Sequence, residues 1–283
     1  MNLGNSFKEI RINKGYTQRY MANNILNQSS YSKIEKKSVD LTVTKYIQLL
    51  EKLDMEHEEF QFIANGYEYK SKAKLIKTFF NLKHNDANSL KAIKKEAEDY
   101  LSLHDDKLIQ DIIIVCEGLI ILAETSDMQL ARGYVNKVWE RLEKFDNWYL
   151  TELSLINTIL FIFPIETAIH ITKKALKQLE KYQDYEGTGN LVFNFRFNLV
   201  LLLLDNKRYE AGLEVVEEVI LLCKKNRFYY QMAICYARKG ILLANLKENN
   251  SEEYYQKAFQ LLDIIEENDM KIEVEKEINH YTR

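Results

Sequence analysis

The sequence predicts an all-α protein built from two parts, a small N-terminal domain of short helices and a longer body of paired helices. Its 283 residues include one proline and nine glycines, and the alternation typical of strands is rare. Apolar residues recur instead at spacings of three and four. Residues 1–50 contain eight basic and three acidic residues, a net charge of +5, so the total of −3 leaves −8 for the remainder. This asymmetry predicts two domains with different binding partners.

Five short helices are predicted in the N-terminal domain. The first carries an apolar stripe of Leu3, Phe7 and Ile10 and ends at Gly15, a residue that commonly closes a helix. Two helices then share the segment 17–35. The stripes of the last two consist of Val43, Ile47, Leu50 and Leu53, after the candidate N-cap Thr42, and of Phe60 and Ile63.

The segment 17–35 reads as two helices that meet at a tight corner. Thr17 and Asn27 are candidate N-caps, because their side-chain oxygens can accept from the unpaired N–H groups of a first helical turn. The inward-facing apolar residues are Tyr20, Met21 and Ile25 in the first helix and Tyr31 and Ile34 in the second. This leaves Gln28, Ser29, Ser32 and Lys33 facing outward. Short polar side chains on such a helix suit the major groove of DNA, which predicts a helix-turn-helix.

The motifs of this domain resemble the lambda-repressor-like helix-turn-helix domains, also called Cro/C1 or XRE domains. The residues that carry the resemblance are Leu3-Gly4, Ile10-Arg11, Gly15-Tyr-Thr-Gln18, Ala22, Ser32-Lys-Ile-Glu35, Leu49, Leu50 and Leu53. The resemblance implies that Gln18 contacts a phosphate, with charge added by Arg19. It implies base reading by Gln28, Ser29 and Lys33, with Ser32 between base and backbone. Phosphate contacts are expected from Lys36, Lys37 and Lys45. Many members have a glycine after the Glu-Arg or Glu-Asn pair that closes this helix, whereas this chain has Glu35-Lys36-Lys37-Ser38, so the exit turn is expected to differ.

The body begins after Asn65-Gly66-Tyr67, the clearest break signal in the chain. We therefore expect a helix-turn-helix domain over 1–66 and a helical repeat domain over 67–283. A small residue recurs in the second helix of each predicted pair at intervals of 39, 37, 43 and 47 residues. These anchors are Ala92, Ala131, Ala168, Ala211 and Ala258. A period near 40 predicts a two-helix solenoid similar to tetratricopeptide repeats, and the copy from Tyr236 to Ala258, which includes Gly240, fits best.

One predicted first helix carries Asn190, Asn194 and Asn198 on a single face, with Phe193 and Phe197 beside them. An asparagine amide can pair with both the N–H and the C=O of a peptide backbone, whatever its side chains. The same wall is expected to include Asn157 on the preceding first helix and Tyr236 and Arg238 on the following one. We expect this wall to line a peptide groove; the alternative is that the asparagines are solvated or join the helices to one another.

Further motifs of the body resemble the Rgg family of Gram-positive transcriptional regulators, which belongs with PlcR- and PrgX-like peptide-pheromone receptors. They are Asn147-Trp-Tyr149, Glu152 through Asn157, Phe161, Arg196-Phe-Asn-Leu and Tyr209-Glu-Ala211. The resemblance implies a cytoplasmic homodimer that binds a short signalling peptide in its repeats and acts on double-stranded promoter DNA at palindromic sites. Some members link their DNA-binding domains through a cysteine in helix 4. Val43 stands at that position, so this disulfide cannot form.

Other classes of protein find little support in the sequence. The five histidines are scattered, and the three cysteines lack the CxxC spacing of metal sites, so no metal, no cofactor and no enzyme activity are predicted. Buried, reduced thiols are expected instead. The first residues lack an apolar signal core, and no apolar run spans a membrane. The remaining alternatives are a phage- or plasmid-type repressor and a repeat adaptor that grips a protein partner, both without a peptide signal.

Overall fold

The computed structural model describes residues 3–36, 40–82, 86–185 and 187–282. Within these ranges the chain forms sixteen α-helices and two short 3-10 helices and contains no strand, which confirms the all-α prediction. It divides into two compact units, one of Met1–Lys83 with Lys95–Ile109 and the other of His84–Lys94 with Gln110–Arg283. Lys37, one of the predicted phosphate contacts, lies outside the described residues.

The first unit holds the helix-turn-helix. Its leading helices are α1 (Leu3–Asn13), α2 (Gln18–Ala22), α3 (Gln28–Glu35), α4 (Val43–Lys52), α5 (His57–Ala64) and α6 (Ser71–Phe80). Helices α1 to α5 enclose a core whose largest fully buried side chains are Phe7, Met21, Tyr31, Leu49 and Phe60. The five helices predicted for this domain are all present.

The predicted helix boundaries follow from local hydrogen bonds. The side-chain oxygen of Thr17 accepts from the N–H of Tyr20 at 3.0 Å, and Asn27 accepts from Ser30 at 2.8 Å, so both residues cap their helices. Thr42 caps α4 in the same way. Gly15, with φ of +70°, lies in the left-handed region that closes α1.

The stripe predicted for α4 was wrong at two positions. Val43 is 74% exposed and Ile47 is 50% exposed, whereas Leu49, Leu50 and Leu53 are buried. The reason is Tyr46, whose ring lies 6.0 Å from that of Phe7 and 5.7 Å from that of Phe60. These aromatic contacts rotate the helix so that position 46, and not 43 or 47, faces the core.

The body continues with ten further helices. They are α7 (Ala87–Leu101), α8 (Lys107–Thr125), α9 (Met128–Leu142), α10 (Leu150–Thr158), α11 (Ile165–Leu179), α12 (Thr188–Asp205), α13 (Tyr209–Asn226), α14 (Tyr229–Asn245), α15 (Ser251–Ile264) and α16 (Asn268–Thr282). The predicted anchors fall on α7, α9, α11, α13 and α15, the helices that were expected to come second in each pair. In the second unit the first helices α10, α12, α14 and α16 also contact one another in sequence, which forms a continuous row.

Small residues permit close helix packing at some of the predicted anchors but not at all. Ala131, Ala168 and Ala258 are fully buried. Ala92 and Ala211 are exposed, so these two anchors were wrong. In α13 the close approach is made one residue later, by Gly212, where an added Cβ would lie 2.7 Å from Leu242 of α14. The buried face of α13 is therefore rotated by one position from the predicted one.

The best predicted repeat copy is well formed. A Cβ at Gly240 of α14 would meet the ring of Tyr255 of α15 at 2.5 Å, so only glycine admits this packing. The three cysteines are free and buried, as predicted. Within the described ranges, none of the helices combines the length and apolarity needed to cross a lipid bilayer.

Candidate functional site

The outward face of α3 is the first candidate site. Tyr31 and Ile34 anchor the helix in the core, with 0% and 5% of their surfaces exposed. The opposite face presents Gln28, Ser29 and Lys33 to solvent, and Ser32 is half-buried. The structure therefore brings these four predicted residues onto one side of one helix.

A buried ion pair holds α3 in place. The carboxylate of Glu35, at the end of α3, accepts from Nε of Arg11 at 2.6 Å and from Nη2 of the same residue at 3.0 Å. It also accepts from Nε2 of Gln18 at 2.7 Å. Only 2% of the Glu35 side chain and 12% of the Arg11 side chain are exposed. Because these residues belong to α3, α1 and α2, one carboxylate joins the first three helices of the chain.

The environment of Glu35 keeps it charged. Burial acts to raise the pKa of this carboxyl, but the hydrogen bonds from Arg11 and Gln18 outweigh it, so the pKa lies below its ordinary value. The hydrogen bond to Glu35 in turn raises the pKa of the Arg11 guanidinium. Arg11 and Glu35 are both motif residues of the predicted helix-turn-helix, but nothing in the local sequence indicates that they pair. Arg11 also donates from Nη1 to the carbonyl of Tyr16 at 2.9 Å, which fixes the turn before α2.

Close backbone contact adds a second constraint on α3. A Cβ at Gly4 of α1 would overlap the carbonyl oxygen of Ile34 and come within 3.1 Å of that of Glu35. Since only a glycine permits this approach, α1 lies directly against the last turn of α3. The outward face of α3 thus has a rigid support.

The remaining predicted DNA contacts lie around this face. Gln18 is half-buried and donates one amide hydrogen to Glu35. This hydrogen bond orients its side chain beside the start of α2. Arg19, Lys36 and Lys45 are exposed. Lys45 lies in the first turn of α4, and Lys36 follows the last residue of α3.

The second candidate site is the row of first helices in the body. Asn190 and Asn194 of α12 are exposed, and Asn198 is half-buried. Nδ2 of Asn198 donates to Oδ1 of Asn157 on α10 at 3.2 Å, so two predicted members of the wall meet. Each amide of this pair keeps further donor and acceptor capacity, because an asparagine can make up to four hydrogen bonds.

Arg238 links three helices of the row. Its Nε donates to Glu277 of α16 at 2.7 Å, and its Nη1 donates to the carbonyl of Phe197 on α12 at 3.3 Å. Its guanidinium also lies 4.5 Å from the centre of the Phe197 ring. Only 6% of Arg238 is exposed, so its charge is neutralised within the protein by Glu277. Phe197 and Tyr236 are half-buried beside it.

Family models match both parts of the chain. Residues 7–60 match the helix-turn-helix model. Residues 83–276, more than half of the chain, match the model of the C-terminal domain of the HTH-type transcriptional regulator Rgg. The chain belongs to the Rgg family. A comparison with the curated proteins finds no match for this Rgg-family chain.

Solved structures share the whole fold of this Rgg-family chain at low sequence identity. A protein from Listeria monocytogenes EGD-e is 18% identical, with a TM-score of 0.80 over 99% of this chain and 97% of that one. The Streptococcus dysgalactiae SHP pheromone receptor Rgg2 is 14% identical, with a TM-score of 0.73 over 98% and 99%. Bacillus thuringiensis PlcR, in complex with the peptide PapR7 and DNA, is 20% identical, with a TM-score of 0.67 over 96% and 98%.

Proposed function

We propose that this chain is a sequence-specific DNA-binding transcriptional regulator of the cytoplasm whose action is controlled by a short signalling peptide. Residues 1–66 bind DNA, and residues 67–283 bind the peptide and form a homodimer. One observation carries the proposal: Gln28, Ser29 and Lys33 share the solvent face of a helix that a buried ion pair and a glycine contact hold rigid. Such a face serves base reading in the major groove.

The DNA contacts divide into two kinds. Gln28, Ser29 and Lys33 reach base edges, with Ser32 at the boundary, and determine which sequence is bound. Gln18, Arg19, Lys36 and Lys37 contact phosphates, which adds affinity without sequence preference and makes binding depend on salt. In a homodimer, two such helices bind half-sites about 34 Å apart, or a multiple of that distance, so the operator is palindromic.

The peptide lies along the row of first helices. The exposed amides of Asn190 and Asn194 hold its backbone, and Asn157, Phe197, Asn198, Tyr236 and Arg238 complete the wall. For the peptide to regulate DNA binding, it must bind one arrangement of the dimer more tightly than another. The fold shared with PlcR, whose structure was solved in complex with the peptide PapR7 and DNA, supports a peptide ligand.

A second function has its own observation in its favour. Asn198 pairs with Asn157, and Arg238 pairs with Glu277, so part of the predicted wall is already satisfied internally. A repressor of the phage or plasmid type, or a repeat adaptor without a peptide signal, would use these residues as scaffold only.

DNA selection tests the first half of the proposal. The full chain is incubated with randomised duplexes, the bound fraction is sequenced, and affinity is measured by fluorescence anisotropy at several salt concentrations. We expect a palindromic motif that the double variant Gln28→Ala, Lys33→Ala no longer selects. A matched control, Lys276→Ala on the exposed face of α16, should select the wild-type motif. An unchanged motif in the double variant would refute the assignment of α3.

Peptide capture tests the second half. A library of random short peptides is passed over the immobilised chain, and the retained peptides are identified by mass spectrometry. Asn190→Ala and Asn194→Ala should each reduce retention, whereas Asn136→Ala on the exposed face of α9 should not. If neither variant in α12 differs from this control, or if bound peptides leave DNA affinity unchanged, the alternative without a peptide signal is correct.

A further inference from the structure

The base-reading residue Ser29 does not have a freely rotating hydroxyl in this structure. Its Oγ lies 2.7 Å from Oδ1 of Asn27, the residue that caps α3. The N–H of Ser30 points at the same Oδ1, at 2.8 Å. A backbone N–H can only donate, so the atom that it meets is the amide oxygen and not the amide nitrogen. The hydroxyl of Ser29 must therefore donate its hydrogen to Asn27.

This hydrogen bond determines what the Ser29 side chain can offer to DNA. A serine hydroxyl has one hydrogen and two lone pairs, and here the hydrogen is already used. Ser29 is exposed on the outward face of α3, so its lone pairs remain available to a ligand in the groove. In the major groove the donors are the exocyclic amines, N6 of adenine and N4 of cytosine, whereas N7 and O6 of guanine and O4 of thymine are acceptors.

We infer that Asn27 is a positioning residue for sequence reading, which holds Ser29 as a hydrogen-bond acceptor so that it selects a base bearing an exocyclic amine. Ser29 thus recognises adenine or cytosine on the strand that it faces. This inference rests on the proposed function, because it assigns a role within the α3 interface. It adds Asn27, which makes no base contact of its own, to the residues that determine specificity.

The test uses the full chain and the motif that it selects. Comparison of wild type with Ser29→Ala identifies the base that Ser29 contacts, and Gln28→Ala should alter a different position. At the Ser29 position, duplexes then carry purine for adenine or pyrimidin-2-one for cytosine, which removes only the amine. Other duplexes carry 7-deazaadenine for adenine, or 7-deazaguanine opposite cytosine, which removes the N7 acceptor of that base pair and leaves the amine in place. Anisotropy gives the affinity of each variant for each duplex.

Loss of the amine should weaken wild-type binding roughly threefold to tenfold, the value of one hydrogen bond, and should leave Ser29→Ala unaffected. The 7-deaza duplexes should bind wild type normally. Asn27→Gly keeps a tolerated N-cap but frees the hydroxyl, so its affinity should become insensitive to the amine, whereas Asn27→Asp should restore the wild-type pattern. A cap with only a structural role would instead weaken binding to all duplexes equally.

The outcomes separate the possible errors. If the 7-deaza change weakens wild type and amine removal does not, Ser29 donates and the inference is wrong. If Asn27→Gly changes overall affinity without changing sensitivity to the amine, Asn27 is only a cap. If wild type selects no motif at all, the proposed function fails and this inference fails with it.

Discussion

Replacing Glu35 by glutamine tests how the helix-turn-helix domain, the head of the molecule, is held together. The carboxylate accepts three hydrogen bonds, two from Arg11 and one from Gln18, and is nearly inaccessible to water. Whichever way the new amide is turned, its NH2 group faces a donor, and the Arg11 charge loses its partner. Removing one member of a buried ion pair costs about 3–5 kcal/mol. That is a large fraction of the roughly 5–15 kcal/mol that stabilises a typical domain.

Amide hydrogen exchange measures this loss in the head alone. Both tryptophans, Trp139 and Trp148, lie in the body, so tryptophan fluorescence does not report on the head. Exchange of peptides from α1 and α3, followed by mass spectrometry, should be about 10² to 10⁴ times faster in Glu35→Gln, since 1.36 kcal/mol corresponds to a factor of ten.

A matched change on the surface provides the control. Glu273 pairs with Lys276 at 2.7 Å, but their side chains are 60% and 67% exposed. Glu273→Gln should alter exchange in α16 by less than about fivefold, because exposed ion pairs contribute little. If Glu35→Gln also changed exchange by less than about fivefold, the head would not depend on this pair and our account of its rigidity would be wrong.

Three further predictions concern the head and the core. The pKa of Glu35 is lowered in the fold, so the stabilisation by its charge is complete above its pKa in the unfolded chain and is lost as pH falls through the folded value. Acidification over that window should lower the exchange protection factors of α3, taken relative to the intrinsic exchange rate at each pH, in wild type but not in Glu35→Gln. Gly240→Ala should lower the free energy of unfolding of the body, measured by urea titration, by about 1–3 kcal/mol. Gly133→Ala should raise it by about 0.5–1 kcal/mol, because a Cβ at that position meets no atom within 4 Å. Equal effects of the two substitutions would contradict the packing at Gly240. Burial raises the pKa of the Cys116 thiol to about 12, so Cys116 in the folded protein should resist iodoacetamide at neutral pH and react only after unfolding. Rapid labelling of the folded protein would contradict the burial of this thiol.

Local chemistry made the head predictable from the sequence. The caps at Thr17 and Asn27 and the closing turn at Gly15 depend on residues within three or four positions, and all appear as expected. The error at Val43 and Ile47 came from elsewhere in the chain. The spacing of these two residues fits one face of a helix as well as the spacing of the residues that are buried. Only the packing of Phe7 and Phe60 on Tyr46 decides which face of α4 points to the core.

Long-range contacts also limited the prediction of the candidate sites. The pair of Arg11 and Glu35 is separated by 24 residues, so no local pattern indicates it. Arg238 was expected on an open wall, as one of two residues that the next first helix after α12 would add to it. Its partner Glu277 lies on α16, a helix that no repeat period predicted. By contrast, the meeting of Asn157 with Asn198 followed from the repeat itself, because equivalent faces of successive first helices adjoin. Whether the wall binds a peptide stays a prediction.

The burial of Arg238 has a consequence for how related sequences can diverge. Because its charge is neutralised by a residue 39 positions away, neither member can change to a neutral residue alone without leaving an unpaired charge in the packed row of helices. Substitutions at positions 238 and 277 should therefore be correlated among related sequences. Both charges should be kept, both should be lost, or the acid and the base should swap positions. A homologue with an apolar residue at 238 and a retained acid at 277 would be expected to have moved that acid into water by shifting its last helix.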